Sequence, residues 1–298
     1  MMKEFTAACV QIAVTPNDPQ ANINKSILWL ERAVQDHGAD LVVFPETVTT
    51  GFATGLSAEE LWELVDGVPG RLTEAIQKAA DDLGVHVVWP TYRRGAKAGQ
   101  VLNAAVLIGP DGGVIGVYDK THPFPGERRD SGGWTEVGTK AEVYETELGN
   151  IGMIICYDGD FPELSRLLAV KGAEVIVRPS ALLRSYDIWY ITNCARAYDN
   201  HIYMVSTNMV GPDAVGNYYF GHSMIVNPIA WRLAQARGTE EIISAKLDPD
   251  PLRYITTGSK SIQPFDHLED RNLALYEEIL KEARSQFEPG KRYPRKDS

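Results

Sequence analysis

One stretch of the chain, residues 149–163 (GNIGMIICYDGDFPE), restricts the possible fold more than any other. The apolar, isoleucine-rich run at 151–155 has the length and composition of a buried strand, and it ends at Cys156 and a polar turn. Residues 161–171 then have the pattern of a helix. Open α/β sheets place their binding crevice beyond the carboxyl ends of strands connected in this way. The stretch therefore predicts an α/β fold and makes Cys156 a candidate nucleophile.

A cysteine in such a place is more often an inert core residue, because free thiols are among the most buried side chains. A catalytic thiol also needs a base that accepts its proton and a cation that stabilises the developing oxyanion. Both residue types occupy comparable positions. Glu46 follows a wholly apolar strand at 41–44, and Lys120 follows the second strand of a hairpin at 101–118. Three reactive side chains therefore stand at or near strand ends.

Strands and helices are predicted along the rest of the chain. The pattern predicts further strands at 5–14, 85–89, 175–177, 202–206, 224–226, 231–236 and 242–247. It predicts helices from an Asn22 cap, over 72–83, over 186–199, and at the C-terminus with Leu268, Leu273, Leu275, Tyr276 and Ile279. Because no linker or strong repeat interrupts the pattern, residues 1–298 are predicted to form a single domain, with 251–298 as a C-terminal extension.

Charge and cysteine content exclude several classes of protein. The net charge of −11 argues against a nucleic-acid-binding surface, which depends on clustered Lys and Arg. The sequence contains neither the apolar run of a membrane helix nor that of a signal peptide. Cys9, Cys156 and Cys194 are too scattered for a disulfide framework or a zinc site. We therefore expect a cytoplasmic protein without a nucleic-acid or membrane partner.

The motifs around the three reactive side chains resemble the nitrilase superfamily of carbon-nitrogen hydrolases over nearly the whole chain. Glu46 lies in VVFPE, Lys120 in YDKTHPFPGE and Cys156 in IICYDGDFPE. Four further segments follow in family order: GADLVVFPE (38–46), GAEVIVRPSA (172–181), RAYDNHIYMVSTN (196–208) and YFGHSMIVNP (219–228). The cysteine segment, VIVRPSA and YFGHS are similar to aliphatic amidases and formamidases. True nitrilases usually carry Trp-Glu after the cysteine, where this chain has Tyr157-Asp158, so the resemblance favours an amidase.

The resemblance implies a four-layer α-β-β-α sandwich in which Glu46, Lys120 and Cys156 meet in one pocket. It also matches Glu127 to a second family glutamate, for which an ion pair with the adjacent arginines is the alternative. The residue types themselves suit amide hydrolysis. Glu46 would take the thiol proton, Cys156 would attack the carbonyl, and Lys120 with the backbone N–H of Tyr157 would stabilise the oxyanion. Hydrolysis of the resulting thioester requires no metal or cofactor.

Several alternatives remain open at the level of sequence. Arg178 in VIVRPSA either serves a buried structural role, which we favour, or binds a substrate carboxylate as in carbamoyl-amino-acid hydrolases. The second role predicts a carbamoylase that releases ammonia and carbon dioxide. A third possibility is a non-catalytic binding protein, although stability alone gives no reason to collect these three groups at strand ends. We expect His122 to shape its loop, and Cys9, Cys194 and His222 to be structural.

The resemblance finally implies an assembly of identical chains, because family members usually pair through helices beside the active site. Residues 182–189 and 251–298 are the segments expected at such contacts. The expected partners are therefore further copies of this chain, as a homodimer or higher oligomer, and a small-molecule amide substrate.

Overall fold

Two six-stranded sheets form the centre of the computed structural model, which describes residues 2–253 and 264–293. The first sheet consists of β1 (Phe5–Gln11), β2 (Leu41–Val43), β3 (His86–Arg94), β4 (Val101–Ile108), β5 (Val114–Asp119) and β14 (Glu241–Leu247). The second consists of β6 (Val143–Thr146), β7 (Gly149–Met153), β8 (Val175–Ser180), β9 (Tyr203–Asn208), β12 (Met224–Val226) and β13 (Arg232–Gln235). A small ribbon is formed by β10 (Val210–Pro212) and β11 (Tyr218–Phe220).

The two large sheets share one plan. Their strand orders are β14-β1-β2-β3-β4-β5 and β13-β12-β9-β8-β7-β6. In each sheet three adjacent strands, β1 to β3 or β7 to β9, run parallel, and the flanking strands are antiparallel. Parallel strands require coverage on both faces, which explains why β2 and β8 contain buried residues throughout.

Helices cover the outer face of each sheet. They are α1 (Pro19–His37), α2 (Ala58–Leu64), α3 (Arg71–Leu83), α4 (Pro162–Val170) and α5 (Tyr186–Asn200). Short 3-10 helices span Arg129–Ser131, Cys156–Asp160 and Leu273–Leu280. Within residues 2–253 and 264–293, every helix is too short or too polar to cross a lipid bilayer.

Alternating side chains of β2 reveal the layers. Leu41 and Val43 pack in a core cluster with residues of the second sheet, including Val177, whereas Val42 packs with α1 and α3 on the other face. The hydroxyl of Thr207 on β9 donates to the carbonyl of Val43 at 3.1 Å, which joins the two sheets directly. Helices α4 and α5 pack into the core cluster of the second sheet. The four-layer α-β-β-α sandwich is therefore confirmed.

The start of α1 differs from the prediction. The helix begins at Pro19, and the side chain of Asp18 caps it by accepting a first-turn backbone N–H at 3.0 Å. Asn22, the predicted cap, is buried inside the helix, where its amide binds the backbone of Thr15 and the carbonyl of Thr49. An asparagine used for long-range contacts thus has the sequence appearance of a cap.

The predicted C-terminal helix is not an α-helix. Four of its five named residues lie in the 3-10 helix Leu273–Leu280, none of whose side chains is buried, and Leu268 precedes that helix. Helices of this length depend on packing of an apolar face, and here Leu273 and Leu280 are 63% and 86% exposed. The remainder of the predicted extension, residues 254–263 and 294–298, lies outside the described residues.

Candidate active site

A buried ion-pair cluster lies where β2 and β5 of the first sheet end. The Nζ of Lys120 is 2.6 Å from Glu46 Oε1 and 2.8 Å from Glu127 Oε2. All three side chains are fully buried. Glu127 does not pair with the adjacent arginines, whose carboxylate partners are Asp130 and Glu59. The structure therefore brings together three of the four predicted catalytic side chains as one network.

Sequence reasoning missed Asn103, which holds this network together. Its Nδ2 donates to Glu46 Oε1 and to Glu127 Oε1, each at 2.8 Å. Its backbone carbonyl accepts the N–H of Lys120 at 2.8 Å. The available signal was a lone amide inside the apolar strand β4, since a buried amide requires hydrogen-bond partners.

The second sheet also contacts Glu46. The backbone N–H of Ala181, just after β8, donates to Glu46 Oε2 at 2.8 Å. Both oxygens of this carboxylate are therefore fixed, one by Lys120 and Asn103 and the other by Ala181. Glu46 is held rigidly between the carboxyl ends of strands from both sheets.

The charges of the cluster depend on one another. Burial alone would lower the pKa of Lys120, but the carboxylates of Glu127 and Glu46 outweigh it and hold that pKa above its ordinary value. Burial raises the pKa of Glu127, with a further contribution from Glu46, although Lys120 opposes the shift. Lys120 therefore remains a cation at neutral pH, as an oxyanion partner must.

Cys156 lies in a sharp turn directly after β7 and two connecting residues. Its φ of 48° is in the left-handed region that side chains other than glycine rarely adopt, and the turn continues as the 3-10 helix Cys156–Asp160. The residue is 8% exposed. Burial, reinforced by the nearby Glu46 carboxylate, raises the pKa of its thiol to about 12, while Lys120 and Arg178 oppose the shift. The resting group is thus a neutral thiol that requires a base.

Asp158 connects this turn to the loop that follows Lys120. Its buried carboxylate accepts the N–H of Ile155 and the hydroxyl of Tyr118, each at 2.8 Å. It also accepts the backbone N–H of His122 at 2.9 Å and lies 3.0 Å from that residue's Nδ1. The His122 ring stacks on Phe161 at 4.0 Å. These contacts are those of a loop-shaping histidine.

Arg178 lies behind the cysteine turn and is completely buried. Its Nε and Nη2 donate to the carbonyl of Cys156 at 2.9 and 2.6 Å. Its Nη1 binds Thr192 Oγ1 and Asn193 Oδ1 at 2.8 and 2.9 Å, and Nη2 is 3.5 Å from Asp160 Oδ1. These contacts use all five N–H groups of a guanidinium. The geometry favours the structural alternative for Arg178 and leaves no donor for a substrate carboxylate.

Aromatic rings lie beside Lys120 and at the cysteine turn. The ring centroid of Phe52 is 5.2 Å from Lys120 Nζ, and Phe52 packs edge-on against Trp134 at 5.8 Å. Tyr157 packs edge-on against Phe124 at 5.4 Å and against Phe161 at 5.1 Å. Such rings present apolar surface beside the charged groups.

The remaining candidate residues lie apart from the ion-pair cluster. Cys9 and Cys194 are buried free thiols of the core cluster shared by the sheets, and burial raises the pKa of both. His222 has a left-handed φ of 58°, and its carbonyl accepts the indole N–H of Trp189 at 2.7 Å. These are packing and hydrogen-bonding contacts.

Comparisons with known proteins identify relatives that match most of the chain. The family model of carbon-nitrogen hydrolases matches residues 6–255. A probable nitrilase, C965.09, of Schizosaccharomyces pombe is 30% identical over 278 residues, which cover 92% of this chain and 97% of that protein. A formamidase of Bacillus cereus (strain Q1) is 32% identical over 255 residues, 83% of this chain and 74% of that protein.

A solved structure supports the same assignment. The crystal structure of Saccharomyces cerevisiae Nit3, a member of branch 10 of the nitrilase superfamily, has a TM-score of 0.74 at 27% identity. The match covers 83% of this chain and 91% of that one. Since the family model spans every strand end that contributes to the site, the chain belongs to the carbon-nitrogen hydrolase family of the nitrilase superfamily.

Proposed function

We propose that the protein is a thiol amidase that hydrolyses a small or medium carboxamide to a carboxylic acid and ammonia. The observation that carries the proposal is the fully buried Lys120–Glu46 ion pair, whose charges both act on the neutral thiol of Cys156. Its support from relatives is the formamidase, a protein named for hydrolysis of an amide. The carbon-nitrogen bond is also the bond for which the matched family of hydrolases is named.

Acylation begins with proton transfer from Cys156 to Glu46. The thiolate attacks the amide carbonyl, and the charge that develops on oxygen is stabilised by Lys120 and the backbone N–H of Tyr157. Each such donor typically contributes about 3 kcal/mol to the transition state. Glu46, now protonated, donates its proton to the departing ammonia, and a thioester remains on Cys156.

Deacylation uses the same carboxylate as a base again. Glu46 removes a proton from water, and the oxygen of that water attacks the thioester carbonyl. The C–S bond then breaks, Glu46 returns the proton to the thiolate, and the carboxylic acid is released. Glu127 carries no proton in these steps. It keeps Lys120 charged and fixes the position of its ammonium group, and Glu127 is in turn fixed by the amide of Asn103.

Two other hydrolase functions, with different substrates, are alternatives to an amidase. A carbamoylase of amino acids requires a cation for the substrate carboxylate, and the N–H groups of Arg178 already bind protein atoms. A nitrilase consumes a nitrile, as the name of the fission yeast relative indicates for that protein. In this chain Tyr157-Asp158 follows the cysteine in place of Trp-Glu.

The test is ammonia release from a panel of aliphatic amides, aromatic amides, N-carbamoyl amino acids and nitriles. We expect turnover of simple amides and its loss in Cys156→Ala. Preferred turnover of carbamoyl compounds, with carbon dioxide release, would replace the amidase by a carbamoylase. Preferred turnover of nitriles would make the protein a nitrilase, and inactivity toward every class would favour a binding protein.

We also propose that the chain assembles with copies of itself in a reducing, cytoplasmic compartment. The support is a set of exposed apolar side chains beside the site and at the C-terminus: Leu183, Ile188, Ile191, Leu273, Leu275, Ile279 and Leu280. The three free cysteines fit a reducing environment. Sedimentation at micromolar concentration should show a dimer or larger, and a monomer would remove the assembly proposal.

A further inference from the structure

Arg178 is a buried cation directed at the backbone of the nucleophile. Two of its N–H groups converge on one carbonyl oxygen, that of Cys156. Its closest carboxylate, Asp160, is 3.5 Å away and is itself bound by Arg184 at 2.5 and 3.0 Å. Burying a guanidinium is costly, so a position that gives it a neutral carbonyl as main partner calls for a reason other than stability.

The turn is shaped to admit this side chain. At Gly159 an added Cβ would lie 2.1 Å from Arg178 Cζ, so only glycine leaves room for the guanidinium. Thr192 and Asn193 of α5 fix its far side, and the guanidinium carbon is 5.1 Å from the Trp189 ring centroid. Arg178 therefore has one orientation, and that orientation is determined before any substrate binds.

The bound carbonyl shares a peptide unit with the N–H of Tyr157. A trans peptide is planar, and its C=O and N–H point in opposite directions. Because Arg178 holds the Cys156 carbonyl on its own side of the turn, the N–H of Tyr157 is directed to the opposite side. Hydrogen bonding of a cation to the carbonyl also polarises the amide and makes its N–H a stronger donor.

We propose that Arg178 is a positioning residue that orients and polarises the Cys156–Tyr157 peptide, so that the Tyr157 N–H stabilises the oxyanion. This inference rests on the proposed thiol amidase function. It gives Arg178 no contact with substrate. Arg178 acts on acylation and deacylation, the two steps in which the carbonyl oxygen of the substrate becomes negative. Alkylation of the Cys156 sulfur forms no oxyanion and is almost unaffected.

The test compares a reaction that forms an oxyanion with one that does not. Arg178→Lys keeps the charge but loses the pair of hydrogen bonds that Nε and Nη2 donate to the Cys156 carbonyl. We expect its kcat on the best amide and its affinity for butyraldehyde, which forms a tetrahedral adduct with the thiol, to fall about 100-fold. The KM and the rate of Cys156 alkylation by iodoacetamide should change by less than about threefold.

Arg196→Lys is the matched control. Arg196 also grips this turn, with Nε donating to the Gly159 carbonyl at 3.1 Å and Nη2 to the Asp160 carbonyl at 3.3 Å, but it does not bind the cysteine. Its substitution should lower the melting temperature while the ratio of kcat to alkylation rate stays as in the wild type. Parallel losses of kcat and alkylation in Arg178→Lys, or wild-type kcat, would overturn the proposal.

Two further results keep the test decisive. If Arg178→Lys does not fold, Thr192→Val, which removes one partner of Nη1, should lower kcat several-fold with unchanged alkylation. An unchanged kcat in that folded variant would count against the proposal. A wild type that turns over no amide would instead refute the amidase function, so the two failures remain distinguishable.

Discussion

The two sheets contribute to the site in different ways. The first sheet supplies mutually paired charges, because Lys120, Glu46 and Glu127 are fully buried and satisfy one another through Asn103. The second sheet supplies a backbone turn with a left-handed cysteine, which buried side chains hold from behind. A substitution among the charges of the first sheet therefore leaves a charge unpaired, whereas one at the turn of the second sheet alters the direction of a peptide or a thiol.

The largest effect on stability and kcat is expected from Lys120→Met, in the ion-pair cluster of the first sheet. Two buried carboxylates would lose their cation, so we expect a loss of about 3 to 5 kcal/mol in unfolding free energy and at least about 100-fold in kcat. Urea unfolding and ammonia release measure both. Lys78→Met, at an exposed pair with Asp82, is the control and should cost less than about 1 kcal/mol. Equal costs in the two variants would contradict the pairing account.

Glu127→Gln should separate catalysis from stability within the same cluster. Lys120 keeps Glu46 as its partner, and the amide can still accept its hydrogen bond, so the fold should lose no more than about 1 to 2 kcal/mol. We expect kcat to fall on the order of 10-fold to 100-fold, because Lys120 is less firmly held. Steady-state kinetics and thermal unfolding provide the readouts. Wild-type kcat would show that Glu127 has no part in the reaction.

At the cysteine turn of the second sheet, Asp158→Asn is expected to have an intermediate effect on the unfolding free energy. Its carboxylate accepts hydrogen bonds from Ile155, Tyr118 and His122, and one amide oxygen cannot satisfy all of these donors. We expect a loss of about 1 to 3 kcal/mol and a slower alkylation of Cys156 by iodoacetamide. A variant with wild-type stability would show that the turn does not depend on this connection.

The smallest expected effect is the dependence of the unfolding free energy on pH through Cys9. Burial raises the pKa of Cys9 to about 12, opposed by a hydrogen bond with Thr207, from an unfolded value of about 8.5. The folded state then holds a proton that the unfolded state loses, so this stability is complete below about pH 8.5 and declines as pH rises toward 12. The unfolding free energy falls by at most about 1.4 kcal/mol per pH unit.

A comparison with Cys9→Ala isolates that contribution from other groups that titrate at high pH. Urea unfolding of both proteins between pH 7.5 and 9.5 should give free energies that converge as pH rises. A constant difference between the two proteins would mean that the Cys9 thiol does not contribute to the alkaline loss.

The sequence was sufficient for local features and for the general location of the site. Apolar runs identified β2 and β7, and the residues after them, Glu46 and Cys156, do lie at the carboxyl ends of these segments. The sequence could not identify hydrogen-bond partners that only the tertiary structure brings together. Asn103 and Glu46 are 57 positions apart, and Arg178 contacts a carbonyl 22 positions away. Propensity also failed at 273–280, where no packing supports an α-helix.

The proposed function requires that Cys156 carry the acyl group during hydrolysis. The direct measurement is acid quenching of the enzyme during turnover of its best amide, followed by peptide mass analysis of the segment that contains Cys156. We expect a mass increase on Cys156 equal to the mass of the amide minus that of ammonia, and neither adduct nor turnover in Cys156→Ala. Ammonia release that persists in Cys156→Ala would contradict it.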